Sequence, residues 1–180
     1  MVGLFEYVMN GAKDDKYKVA TFGLGCFWGG ELMFQRVPGV ISTSVGYTQG
    51  TKENPTYEEV CTGSTGHTEA IQVVFDPAQV SYESLVQQVL DRLDDDVYKL
   101  NQVGNDRGTQ YRSGVYYHDD EQREVAGKLF GQLGSDDKVA QTELKEATIY
   151  YKAEDYHQQY LLKGGQSAKK EAKETIRCYG

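Results

Sequence analysis

The chain has 180 residues, 39% hydrophobic and 26% charged with three prolines, which is ordinary globular composition and enough for a domain with its own core. Its net charge of −8 argues against nucleic acid or an anionic membrane as the main partner. No apolar run approaches the roughly 20 residues of a membrane span, and Met1-Val-Gly-Leu-Phe-Glu-Tyr7 has neither a signal-peptide pattern nor a myristoylation glycine, so a cytoplasmic protein is expected, with a trimmed organelle form left open. A monomer is the expected state, although none of these features bears on it.

In chain order, Val19-Ala-Thr-Phe-Gly-Leu24 is an apolar run of strand type, and Glu31-Leu-Met-Phe-Gln-Arg-Val37 is of helical type. Val40–Tyr47 is β-branched and reads as a strand, as does Thr68–Phe75, ended by Asp76-Pro77. Ser81 caps a helix with Leu85, Val86, Val89, Leu90 and Leu93 on its core face. Arg112–Tyr117 is a strand, and Asp119 starts a helix with Val125, Leu129, Phe130 and Leu133 on one side and Gly134 at its end. Ala147–Tyr151 is a short strand, and a helix follows around Tyr156–Leu162. Beyond Gly164-Gly165 the chain is polar and weakly patterned, so an extended, mobile surface tail is expected.

This order predicts an α+β fold: a two-layer ferredoxin-like split βαβ sandwich with a mixed, largely antiparallel sheet and an irregular C-terminal tail. A doubly wound parallel sheet needs more regular alternation. No repeat or linker is evident, so one domain is expected over 18–180, with an extension at 1–17 and the tail at 164–180.

Gly25-Cys26-Phe27-Trp28-Gly29 places Cys26 where a strand gives way to a helix. Free N–H groups and the helix dipole there favour a thiolate, with a pKa lowered from about 8.5 toward neutrality. Phe27 and Trp28 would wall the sulfur with apolar surface. A free cysteine is also often a small buried hydrophobe, but Gly25, Gly29 and Gly30 suggest close backbone approach or special dihedrals. Gly23-Leu-Gly25 does not open a dinucleotide fingerprint: Trp28 holds the third glycine's place, and no acidic residue follows at the required distance.

Cys26, Cys61 and Cys178 are too few and too scattered for a disulfide framework, and no Cys-x-x-Cys or metal-ligand spacing is present, so no metal is expected. A lone thiol or transient pair in a reducing compartment is more often catalytic or redox-active than structural. Glu69 opens an otherwise apolar strand. It is either an exposed strand-end carboxylate or a buried acid with a raised pKa. The polar loop Gly104–Ser113 is of a kind that lines sites on a rigid scaffold. Of the three histidines, His67 could serve Cys26 as the base of a hydrolase, although no protease signature surrounds the cysteine.

Taken together, several stretches resemble the A-type peptide-methionine (S)-S-oxide reductases. They are Gly25–Gly29, Asn54-Pro-Thr-Tyr57, Gly66-His-Thr-Glu69-Ala, Gly104-Asn-Asp106 through Gly108-Thr-Gln-Tyr111-Arg-Ser, and Ala153-Glu-Asp-Tyr-His-Gln-Gln-Tyr-Leu161. They occur in the family's order across residues 18–180, and Ile-Arg-Cys178-Tyr-Gly looks like the ending of plant-type members. The resemblance implies that Cys26 attacks the sulfoxide sulfur of the S epimer, free or in proteins, and becomes a sulfenic acid. Glu69 would protonate the oxygen, Tyr57 and Tyr111 would hydrogen-bond it, and Asp106 would fix polar groups in the pocket. Phe27 and Trp28 would grip the substrate methyl. Cys178 would resolve the sulfenic acid as a disulfide, which thioredoxin, or dithiothreitol in vitro, would reduce. No bound cofactor is implied. Cys61 is either a packed thiol or an extra redox thiol in the disulfide relay. The chain departs from the family where His-Asp-Pro-Thr is usual and it reads Asp95-Asp96-Val97-Tyr98, and where Gln102-Val103 replaces Arg-Gln. A sulfoxide or peptide binding module without turnover is the competing reading from another class.

Overall fold

The computed structural model describes residues 16–178; of the extension expected at 1–17, all but Lys16 and Tyr17 lies outside the described residues. The strands are β1 (Lys18–Gly23), β2 (Val40–Thr48), β3 (Thr68–Phe75), β4 (Gln102–Val103), β5 (Asp106–Arg107), β6 (Gly114–Tyr117), β7 (Glu143–Glu146) and β8 (Tyr150–Lys152). The α-helices are α1 (Phe27–Gln35), α2 (Tyr57–Cys61), α3 (Tyr82–Leu93), α4 (Asp120–Phe130) and α5 (Tyr160–Lys163). Six strands form one sheet in the order β7-β6-β1-β3-β2-β8, while β4 and β5 pair as a separate ribbon. β6 and β7 run parallel; the other neighbours in the large sheet run antiparallel. The fold is therefore α+β with a mixed, largely antiparallel sheet.

β3 lies in the middle of this sheet and is buried along its whole length. Its alternation selects the face that meets the helices. Ile71, Val73 and Phe75 join Ala20 and Phe22 of β1, Val45 and Tyr47 of β2, Phe34 of α1 and Leu85 and Val89 of α3 in one apolar cluster. The same period of two turns Glu69 toward the start of α1. A register slip of one residue would send the carboxyl and the core residues to the opposite face. Ser81 caps α3 by accepting from the Ser84 N–H at 3.0 Å, and Asp119 caps α4 by accepting from Gln122 N–H at 2.8 Å.

Several elements differ from the sequence expectation. Thr56 and Glu59 form a reciprocal capping box that starts α2, over a segment to which the sequence reading assigned no element. α4 stops at Phe130, and Gly134 sits in a later turn with φ +91°. β7 reads Glu-Leu-Lys-Glu, without a strand's apolar period, and pairs at the sheet edge. The helix expected over Tyr156–Leu162 is broken at Gln159 (φ +55°) into a 3-10 turn, Asp155–His157, and α5. The break has two causes. The Gln158 side chain bonds both backbone groups of Val45, and the Gln159 N–H donates to the Glu31 carboxyl at 2.6 Å.

The tail lacks regular elements up to Cys178 but is firmly held. Arg36, which caps the C-terminus of α1, donates to the carbonyls of Ser167 (2.9 Å) and Glu174 (2.7 Å). Glu171 N–H donates to the Arg36 carbonyl at 2.7 Å. The Gln166 amide binds both backbone groups of Arg177, at 2.6 and 3.0 Å. Among the described residues, no helix is long and apolar enough to cross a membrane.

Candidate active site

The turn between β1 and α1 builds the site. Gly25 has φ +75°, and a Cβ there would lie 2.7 Å from the Val103 side chain, so this turn requires glycine. Cys26 occupies the cap position of α1 without a capping bond from its side chain. The Phe27 N–H, without a partner inside the helix, is taken instead by Glu69, whose Oε2 accepts it at 3.0 Å. A cleft of about 740 Å³ opens here, lined by Cys26, Phe27, Trp28, Tyr57, Glu69, Asp106, Tyr111 and Cys178 among others. Every site residue named from the sequence lines this cleft except Cys61 and the alternative base His67. Cys61 is exposed at the end of α2, which contradicts its reading as a packed thiol; its thiol touches the Tyr57 hydroxyl.

The electrostatics reverse one expectation. The Cys26 thiol is not brought toward neutrality but pushed up to about 12. Burial is the main cause, the Glu69 charge adds to it, and Cys178 and Asp106 contribute further; a hydrogen bond from the Trp28 N–H opposes them. Desolvation of the anion outweighs the helix terminus. Glu69 is 2% exposed, and burial raises its pKa to about 8 against the pull of the Phe27 N–H, with Asp106 adding to the rise. Glu69 is thus a buried protonated acid at neutral pH, not an exposed strand-end carboxylate. Tyr57 and Tyr111 also titrate above their ordinary range, primarily through burial, and so keep their hydroxyl protons as donors.

The apolar wall has supports that the sequence reading did not assign. The Trp28 indole N–H donates to His157 Nδ1 at 3.1 Å, and its ring stacks on Tyr160 at 4.0 Å between centroids. Because Trp28 can only donate, His157 carries its proton on Nε2, which has no partner among the described residues. Glu154 accepts from the Tyr47 hydroxyl at 2.9 Å and from the Tyr57 N–H at 3.1 Å. These residues belong to the stretch Ala153–Leu161, which spacing alone does not single out.

The departures in the loop from residue 94 are accommodated. Residues Asp94–Tyr98 form a 3-10 turn that buries Val97. Asp96 accepts from the Gly104 N–H at 2.8 Å and pairs with Lys99 at 2.6 Å, tying down the loop that carries Asp106. His67 is no partner for Cys26. Its Nδ1 accepts from the Gly50 N–H at 3.0 Å, its Nε2 lies 2.7 Å from the Lys52 carbonyl, and it does not line the cleft. No group of three or more His, Cys, Asp or Glu among the described residues is arranged to hold a metal ion.

The model of the family described as peptide methionine sulfoxide reductase matches residues 18–177. The chain belongs to that family. The A4 chloroplastic peptide methionine sulfoxide reductase of Arabidopsis thaliana is 52% identical over 167 residues, covering 89% of this chain and 64% of that protein. The A2-1 peptide methionine sulfoxide reductase of Oryza sativa subsp. japonica is 46% identical over 170 residues, covering 94% and 90%. Methionine sulfoxide reductase A of Corynebacterium diphtheriae superimposes with a TM-score of 0.73 at 38% identity, covering 85% of this chain and 77% of that one. The chain thus spans 64% of the length of the first of these reductases.

Proposed function

We propose that the chain reduces the S epimer of methionine sulfoxide, free or in proteins, to methionine, and that thioredoxin returns it to the dithiol form. The observation that carries this reading is the pairing, in one cleft, of the Cys26 thiol with a buried carboxyl that holds its proton to about pH 8. Glu69 donates that proton to the sulfoxide oxygen, and Tyr57 and Tyr111 add hydroxyl donors. Cys26 attacks the sulfur. As its S–H proton replaces the one Glu69 gave up, the oxygen passes to Cys26 as a sulfenic acid and methionine leaves. Both protons are present before substrate arrives, so no base is needed in the resting protein. Phe27 and Trp28 hold the substrate methyl, Asp106 orders the polar side of the pocket, and that division admits one epimer. Cys178, on the same cleft, closes the disulfide. No bound cofactor enters this chemistry.

The reading extends to a monomer acting as one domain over residues 18–180. The order β6-β1-β3-β2, with α1 after β1 and α3 after β3, supports a ferredoxin-like split βαβ core. The relatives do not support a cytoplasmic location over others, since they include a chloroplastic protein. The test is turnover of the two separated sulfoxide epimers with dithiothreitol and with thioredoxin. Methionine should form from the S epimer with both reductants. Cys26→Ser should abolish it, and Cys178→Ser should keep one stoichiometric turnover while losing thioredoxin-driven cycling. Turnover by Cys26→Ser would end the assignment, and binding without product would make the protein a recognition module.

A further inference from the structure

Gly29 lies in the first turn of α1, three residues after Cys26. A Cβ at Gly29 would sit 2.8 Å from Cys178 Sγ and 2.5 Å from Arg92 Nη2. The missing side chain is therefore the space in which the tail's sulfur and the guanidinium meet. Arg92 comes from the last turn of α3 and also lines the cleft. Among the described residues it makes no hydrogen bond or ion pair. Cys178 is close enough to Cys26 to be among the groups acting on that thiol.

We propose that Gly29 and Arg92 form the seat of the resolving thiol, Gly29 by leaving room for its sulfur and Arg92 by holding positive charge beside it during attack. Both are positioning residues. The inference rests on the reading above, in which Cys178 resolves the Cys26 sulfenic acid. In that step Cys178 sulfur attacks Cys26 sulfur, the S–S bond forms and the S–O bond breaks. The hydroxide leaves as water with the proton from the Cys178 thiol. The oxidant is the sulfenic acid that the sulfoxide has already made. Negative charge builds on the attacking sulfur, and a guanidinium facing the same gap over Gly29 would stabilise it. Gly29 matters differently: a methyl group at 2.8 Å from sulfur would displace Cys178 from the helix start.

The test separates the two half-reactions. The full chain is mixed with one equivalent of the S-sulfoxide without reductant and quenched at intervals. Methionine reports the first step, and loss of free thiol together with dimedone trapping of sulfenic acid reports the second. Arg92→Gln should form the disulfide about tenfold more slowly than wild type, equivalent to about 1.4 kcal/mol, with methionine formation changed by less than about twofold. Trappable sulfenic acid should accumulate, and Arg92→Lys should recover most of the lost rate. Gly29→Ala should slow the disulfide further while still releasing methionine, which also shows that the variant is folded. Disulfide formation at the wild-type rate in Arg92→Gln or Gly29→Ala would overturn the seat, and failure of Arg92→Lys to rescue would overturn the role of charge. A disulfide at Cys26 in Cys178→Ser would instead overturn the resolving role beneath the inference.

Discussion

Replacing Glu69 with Gln keeps a neutral hydrogen-bonding side chain under the start of α1 but removes its titration. In the folded protein the carboxyl keeps its proton to about pH 8, whereas its ordinary value is 4.5. The folded state therefore holds a proton that an unfolded chain has already released, and stability falls with rising pH across this interval. The contribution is complete below pH 4.5 and lost as pH passes about 8. At about 1.36 kcal/mol per pH unit, the span corresponds to roughly 5 kcal/mol. Guanidinium unfolding of wild type and Glu69→Gln at pH 5, 6, 7, 8 and 9 would measure it, since other titrating groups largely cancel in the difference. Wild type should lose several kcal/mol relative to the variant between pH 5 and 8 and then level off. The methionine-forming step of wild type should fall above about pH 8, and Glu69→Gln should lose about 10²- to 10⁴-fold, the usual contribution of a general acid. A stability difference flat from pH 5 to 8 would refute the buried-acid reasoning.

Trp28→Ala removes the wall that His157 and Tyr160 hold in place. It should lower kcat/KM for sulfoxides by about 10- to 200-fold, the range for apolar pocket contacts, as steady-state assays will show. Asp96→Ala frees the Gly104 N–H and the loop that carries Asp106. It should cost about 1 kcal/mol in chemical denaturation and raise KM more than it lowers kcat. Gln166→Ala removes both side-chain bonds to the Arg177 backbone. Loss of free thiol after one turnover should slow severalfold, with stability lower by about 1–2 kcal/mol.

The long elements were legible because each is marked by its own pattern. β3 is an apolar, β-branched run closed by Asp76-Pro77, α3 keeps helical spacing from its Ser81 cap, and both end where the sequence says they do. The site was legible from its motifs, and seven of its side chains meet Cys26 in one cleft. The sign of the Cys26 shift was not, because it depends on how deeply β3 and α1 bury the sulfur beside Glu69, and a helix-start motif gives no depth. β7 was missed because Glu143 is drawn to the edge by Arg112 and the Tyr116 hydroxyl, contacts 31 and 27 residues apart in the chain. The break at Gln159 depends on Glu31, 128 residues away. α2 is a different case: the Thr56-x-x-Glu59 signal was in the sequence, overshadowed by the loop residues around it.

One helix serves as the common reference for both sulfurs. Cys26 sits at the first turn of α1, and Arg36 at its far end grips the strap that brings Cys178 back. Nine helical residues make a strut of roughly 14 Å. Any displacement of this strut against the sheet would carry both thiols with it, so their separation would change less than the position of either one. On the function proposed above, the distance on which the next bond depends is then set by α1 and its strap rather than by the walls of the cleft.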